Sequence, residues 1–205
     1  MNYAELKALL RGLINRSDMT DELAAQFINM AQVRLERLLR TSFMQKYVSF
    51  NPPREDGVFR LPVDYLSLID IFSDIAGGEI ERVDMSRWLR QSSQVGIPKV
   101  FVQTGHDFRM RPPPATTDTL YLRYYGCEPT LSAESDTNQW TLSAGDALLY
   151  GAAEYAADHF EDERLPRFAD RFATALTELR DQQIEEDFSG PMSIQPAYSF
   201  PSDND

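Results

Sequence analysis

Residues 140–187 read WTLSAGDALLYGAAEYAADHFEDERLPRFADRFATALTELRDQQIEED, and their periodicity decides the fold. Leu148, Ala152, Tyr155, Ala156, His159 and Phe160 recur at spacings of three and four, the signature of one buried helix face. Ser143 followed by Asp146 is a variant capping box, which predicts a helix start there. Pro166 stands where a second helix can begin without losing a hydrogen bond. Phe168, Phe172, Ala175, Leu176 and Leu179 then form a second stripe. The short break between them makes the two helices antiparallel neighbours. Each stripe still needs a cover.

That cover is expected from the opposite end of the chain. Residues 3–15 carry Leu6, Leu9, Leu10 and Leu13 at helical spacing. After a polar turn, Thr20 can cap a longer helix reaching about Thr41, with Asp21 and Glu22 in its first turn complementing the dipole. Leu23, Phe27, Ala31, Leu35 and Leu38 form its predicted inner side, with Arg34, Arg37 and Arg40 near its end. Two hairpins with bare apolar stripes predict a four-helix core closed by the two ends of the chain.

The middle is different. Short β-prone runs occur at residues 47–50 and 58–61, and 65–72 reads as a strand or as one helical turn followed by a strand, with Asn51-Pro52-Pro53, Asp56-Gly57 and Leu61-Pro62 as punctuation. Residues 85–92 suggest a brief helix capped by Asp84 or Ser86. Residues 99–103 and 108–111 pair across Thr104-Gly105-His106-Asp107. The clearest strand is 119–125, where Leu120, Leu122 and Tyr124 alternate with Tyr121, Arg123 and Tyr125. The expected class is α+β: a four-helix core from the N- and C-terminal hairpins, an inserted antiparallel β domain and an extended C-terminal tail. The expected boundaries are 1–44, 45–139, 140–187 and 188–205.

Composition narrows the function. Of 205 residues, 20 are basic and 32 acidic, for a net charge of -12. Residues 128–187 hold 15 acidic and 4 basic residues, whereas 1–50 hold 5 acidic and 7 basic. Such an acidic surface repels phosphate and argues against ordinary nucleic-acid binding. Cys127 is the single cysteine, so no intrachain disulfide can form. No run approaches a membrane span and the start lacks signal-peptide character, which predicts folding in a cytoplasm.

No catalytic set emerges. His159 lies among Glu154, Asp158, Glu161, Asp162 and Glu163, but only His106 remains as a second nitrogen ligand, so a packed histidine beside a solvated acidic turn is the better reading. Asp64 and Asp107 read as turn residues. Gly77-Gly78 lacks the Gly-Lys-Ser/Thr of a phosphate loop, and Cys127 has no histidine partner. Catalytic, cofactor and metal residues are therefore all expected to be none. The suggestive surface is the row Tyr121, Arg123 and Tyr125, residue types concentrated at interfaces, weighed against burial of both strand faces in a sandwich. In the tail, Tyr198 and Phe200 sit between Pro196 and Pro201, a pattern suited to docking on a partner.

Several stretches together resemble tailed-phage head–tail adaptors, and among them the tail tubular or gatekeeper adaptors of short-tailed phages. They are NRSDMTDELAAQFINMAQVRLERLLR (15–40), LPVDY (61–65), FRMRPPP (108–114), LYLRYY (120–125) and WTLSAGDALLYGAAEYAA (140–157). The resemblance implies a structural protein of the virion's head–tail junction. It implies a ring that follows the portal's twelvefold symmetry, with portal protein above, a nozzle or tail tube below, and DNA passing through unread. The rival readings are a cytoplasmic binding module that recruits a partner through its tail, and a hydrolase using acids near His159.

Overall fold

A computed structural model describes residues 1–52 and 55–188. Helix α1 spans Tyr3–Ile14. Asn2 and Glu5 close a reciprocal capping box, and Asn15 ends the helix in a left-handed conformation. Helix α2 spans Asp21–Leu38, and the Thr20 hydroxyl accepts from the Leu23 amide at 3.2 Å, as the sequence predicts. The inner faces are rotated from the predicted ones. Tyr3, Leu6, Leu10 and Ile14 are buried in α1, whereas Leu9 is exposed. In α2 the buried apolar set is Ala24, Phe27, Ile28, Ala31 and Leu35, with the polar Gln32 and Glu36 buried as well and Leu38 outside.

The C-terminal hairpin starts differently from expectation. A short helix, α4 (Gln139–Ser143), precedes the long one. Its cap is Asn138, which forms a capping box with Thr141. Ser143 thus ends α4 instead of capping the long helix. Helix α5, Gly145–His159, begins at Ala144 without a side-chain cap. Helix α6 spans Leu165–Phe188 with Pro166 in its first turn. Gly151 sits where α2, α5 and α6 converge: a Cβ there would lie 2.9 Å from the Phe172 ring and 3.2 Å from Ala31. Side chains of α1, α2, α4, α5 and α6 share one apolar cluster around Trp140, Leu148 and Phe172.

Between the hairpins lie two four-stranded sheets. Strands β1 (Gln45–Phe50), β3 (Tyr65–Ser73), β4 (Gly78–Glu79) and β8 (Leu120–Gly126) form one, in the order β1-β8-β3-β4. Strands β2 (Val58–Arg60), β5 (Glu81–Arg82), β6 (Val100–Thr104) and β7 (Asp107–Arg111) form the other, in the order β2-β7-β6-β5. Phe59, Ile71, Phe101, Phe108, Met110, Leu120 and Leu122 fill the space between them, a second core. The wholly antiparallel expectation needs correction, because β5 pairs parallel with β6. The connection between them is long and carries helix α3 (Met85–Leu89), which Asp84 caps; parallel pairing requires such a crossover.

The sandwich is closed along one side and open along the other. Ile80, between β4 and β5, carries the chain from sheet to sheet: its amide donates to the Ile71 carbonyl, and the Glu81 amide donates to Lys99. On the opposite side, among the described residues, β1 and β2 are not paired, and their side chains meet, with the Phe50 and Phe59 rings 5.0 Å apart.

The stretch after β8 returns to the helices. Leu131 joins the helical cluster. The carbonyls of Glu134 and Asp136 accept from the Ala4 and Tyr3 amides at 3.0 and 2.9 Å. The predicted tail after Phe188 lies outside the described residues.

A candidate interaction surface on the outer sheet face

The alternation of β8 divides its side chains as expected: Leu120, Leu122 and Tyr124 face the sandwich core. The other row splits into two environments. Tyr125 is half-buried against the helical cluster and so serves intramolecular packing. Tyr121 and Arg123 line an open groove of about 480 Å³ with Tyr47, Phe72 and Asp74. Gly77 and Gly78, at the β3–β4 turn, leave its rim without side chains.

The groove combines ring faces with held charges. Tyr47 stacks on Tyr121 at 5.9 Å and is 62 % exposed. The Tyr121 hydroxyl donates to Asp74 at 2.9 Å, and that bond raises its pKa above the ordinary phenol value. The Arg123 guanidinium donates to Asp70, whose side chain is almost covered while half of the arginine remains accessible. Asp70 thus fixes one side of the guanidinium and leaves the rest exposed, with donors free of Asp70. Pro196, Tyr198, Phe200 and Pro201, the other residues expected to contact partners, lie outside the described residues.

A second exposed patch is not among the surfaces predicted from the sequence. Met30, Val33 and Arg37 of α2, with Asn29 and Tyr155, line an open depression of about 360 Å³. Their spacing of three and four is a signal in the sequence, but it marks the face beside the predicted core stripe.

Two polar networks hold these surfaces in place, one from the helices to the segment after β8 and one within the sandwich. The Glu36 carboxylate, only 5 % exposed, accepts from Gln32 Nε2, the Glu128 amide and Trp140 Nε1 at 3.1, 3.0 and 3.3 Å. Asp64 accepts from Lys46 Nζ at 2.6 Å and from the Tyr124 hydroxyl at 3.1 Å. Burial, the largest single influence, would raise the Asp64 carboxyl, but these two bonds, the Lys46 charge and a backbone hydrogen bond together hold it below the ordinary value. Tyr124 is pushed up to about 12 by burial and by its bond to Asp64. Cys127 is pushed up to about 11, by burial first and then by Glu36.

The acidic turn near His159 is occupied by structure. His159 is exposed, its ring 4.7 Å from Phe160 and 5.6 Å from Phe27. Asp162 is paired with Arg164, which holds the carboxyl down at about 2. Arg164 also donates to the Leu13 and Ile14 carbonyls at 3.0 and 2.8 Å, so it caps α1 and ties that end to the α5–α6 turn. Among the described residues no group of His, Cys, Asp and Glu could hold a metal ion, and no helix is long and apolar enough to cross a membrane.

Comparison with known proteins adds a family. A family model described as SU10 adaptor protein matches residues 1–195. No curated protein matches the chain. With nearly its whole length matched, the chain belongs to the SU10 adaptor family, a phage head–tail adaptor family, and has the structural role in the virion that such a family implies.

Proposed function

We propose that this SU10-family chain forms a ring beneath the phage portal, joins it to the tail tube or nozzle and continues the DNA channel. The observation that carries the reading is the family match across residues 1–195. In this reading, residues 1–44 and 140–187 make a four-helix body, 45–139 make the inserted sandwich, and 188–205 make an extended arm. The ring follows the portal's twelvefold symmetry. Tyr121 and Arg123 on the sheet, and Pro196, Tyr198, Phe200 and Pro201 on the arm, contact neighbouring subunits or the portal, while Tyr125, expected in the same row, is taken up by packing on the helices. The chain performs no catalysis and needs no cofactor; it assembles from host cytoplasm into the head–tail junction.

Charge supports passage of DNA without its recognition. The net charge of -12 repels phosphate, so a lumen lined by the acidic hairpin lets DNA slide during ejection. The test is to mix the purified protein with portal rings and image the product by electron microscopy. An added ring layer with the portal's symmetry is the expected result. Bare portal rings at saturating protein concentration would overturn the proposal.

A further inference from the structure

The open side of the sandwich carries a cleft that the proposed function does not use. Val48 and Phe50 of β1, Phe59 and Arg60 of β2, Pro62 and Leu122 enclose about 350 Å³ with largely apolar walls. Beside it runs the outer edge of β1. Among the described residues β1 pairs only with β8, so its other row of amides and carbonyls has no strand partner. Exposed edges are ordinarily blunted by charge or proline. Residues 47–50 of β1, Tyr-Val-Ser-Phe, contain neither.

We infer that the segment 197–200 of this same chain, Ala-Tyr-Ser-Phe, adds to the β1 edge in the free subunit and places Tyr198 and Phe200 in the cleft. Three features of the sequence fit that occupant. Tyr198 and Phe200 are two apart, so in a strand they project to one face. Pro196 and Pro201 limit the pairing to four residues, the length of the uncharged edge. Residues 189–205 hold two acids, Asp203 and Asp205, and no base, while Arg60 stands at the cleft.

The reach is sufficient. Leu179, Gln182 and Gln183 of α6 lie against Thr41, Ser42 and Phe43, just before β1 begins. From Gln183 the helix runs about 7.5 Å further to Phe188. From Phe43 the chain runs about 17 Å to Val48. Even if these directions oppose, the gap is about 25 Å, and the ten residues from 188 to 198 extend up to about 33–36 Å. The contacts proposed above between this arm and virion partners would then require it to leave the cleft. Docking in the cleft belongs to the free subunit, so its failure leaves the ring proposal standing.

Hydrogen exchange on the full chain tests this. In wild type, the β1 amides not bonded to β8 should exchange at least about tenfold more slowly than in Ser199→Pro, which removes a donor and the strand geometry. Tyr198→Ala with Phe200→Ala should lose the same protection, since each aromatic contributes about tenfold or more in occupancy. A peptide of residues 192–205 added to that double variant should restore it saturably. Equal β1 exchange in wild type and both variants overturns the inference. So does protection that rises with protein concentration, because a second copy would then supply the segment.

Discussion

Glu36 should be the most sensitive single residue at the joint between helices and sandwich. Its carboxylate is the acceptor for donors from three places: Gln32 on α2, the Glu128 amide after β8, and the Trp140 indole on α4. Glu36→Leu removes that acceptor and fills the space with carbon. Gln32 keeps the Glu128 carbonyl at 3.1 Å, so two donors are stranded, the buried Trp140 Nε1 and the part-buried Glu128 amide. A stranded buried donor costs about 1–3 kcal/mol and a part-buried one less, which predicts a loss of about 2–4 kcal/mol. That is a large fraction of the roughly 5–15 kcal/mol that holds a domain together. Glu36→Gln retains an acceptor oxygen and loses only the charge assistance, so its loss should be about 1–2 kcal/mol. Urea unfolding watched by Trp fluorescence and by circular dichroism measures both, with coincident transitions as the check on two-state behaviour. A Glu36→Leu protein as stable as wild type, or Gln and Leu variants of equal stability, would show that Glu36 does not hold the joint.

Three further outcomes are expected from the same geometry. Asp162→Asn should lower the melting temperature at pH 6, and most of the difference should vanish near pH 2: the Arg164 pair depresses the carboxyl from 3.8 to about 2, so its stabilisation is complete above the unfolded value and is lost as pH falls through the folded one. Cys127 should be alkylated by iodoacetamide at pH 8 at least about tenfold more slowly in the folded protein than in urea, since burial and Glu36 push its thiol up to about 11; equal rates would contradict the placement. Gly57→Ala should destabilise by more than Gly77→Ala in thermal melts. Both have positive φ, but a Cβ at Gly57 would lie 2.6 Å from the Met110 carbonyl oxygen, whereas Gly77 faces open space.

The helices are legible in the sequence because their signals are local. Thr20 as a cap and Phe168, Phe172 and Ala175 as a stripe need only neighbours within two turns. The Ser143 expectation fails because Asn138, an equally good cap residue, closes a reciprocal box with Thr141 and starts a short helix, so Ser143 is taken up as the last residue of that helix. Strand existence is legible too, and strand partnership is not. Gln45 pairs with Tyr125 and Tyr65 with Gly126, contacts whose sequence separation leaves no periodic trace. For the same reason the row Tyr121, Arg123 and Tyr125 looks uniform in the sequence. Alternation reports which face a residue takes, but only the placement of the helical core decides that Tyr125 is covered and Tyr121 is not.

That placement also bears on how the surfaces act together. An apolar contact between two bodies tolerates sliding, because burial is non-directional. A hydrogen-bonded contact does not, because its strength falls steeply with misalignment. Apolar side chains do cross the joint, Leu66 and Tyr125 among them. Directional bonds are added to these: Glu36 to the Glu128 amide and Arg40 to Ser67 cross the joint, while Lys46, bonded to Asp64 and to the Cys127 carbonyl, ties the helix-proximal ends of β1 and β8 to each other. Lys46 lies next to Tyr47 on β1, and Cys127 comes directly after β8. The strands that present Tyr47, Tyr121 and Arg123 are therefore clamped at their helix-proximal ends. For the docking proposed above, a partner on the groove would meet a sheet whose angle to the helices is already set. The ordering cost at that joint was met during folding, so binding there keeps more of its contact energy.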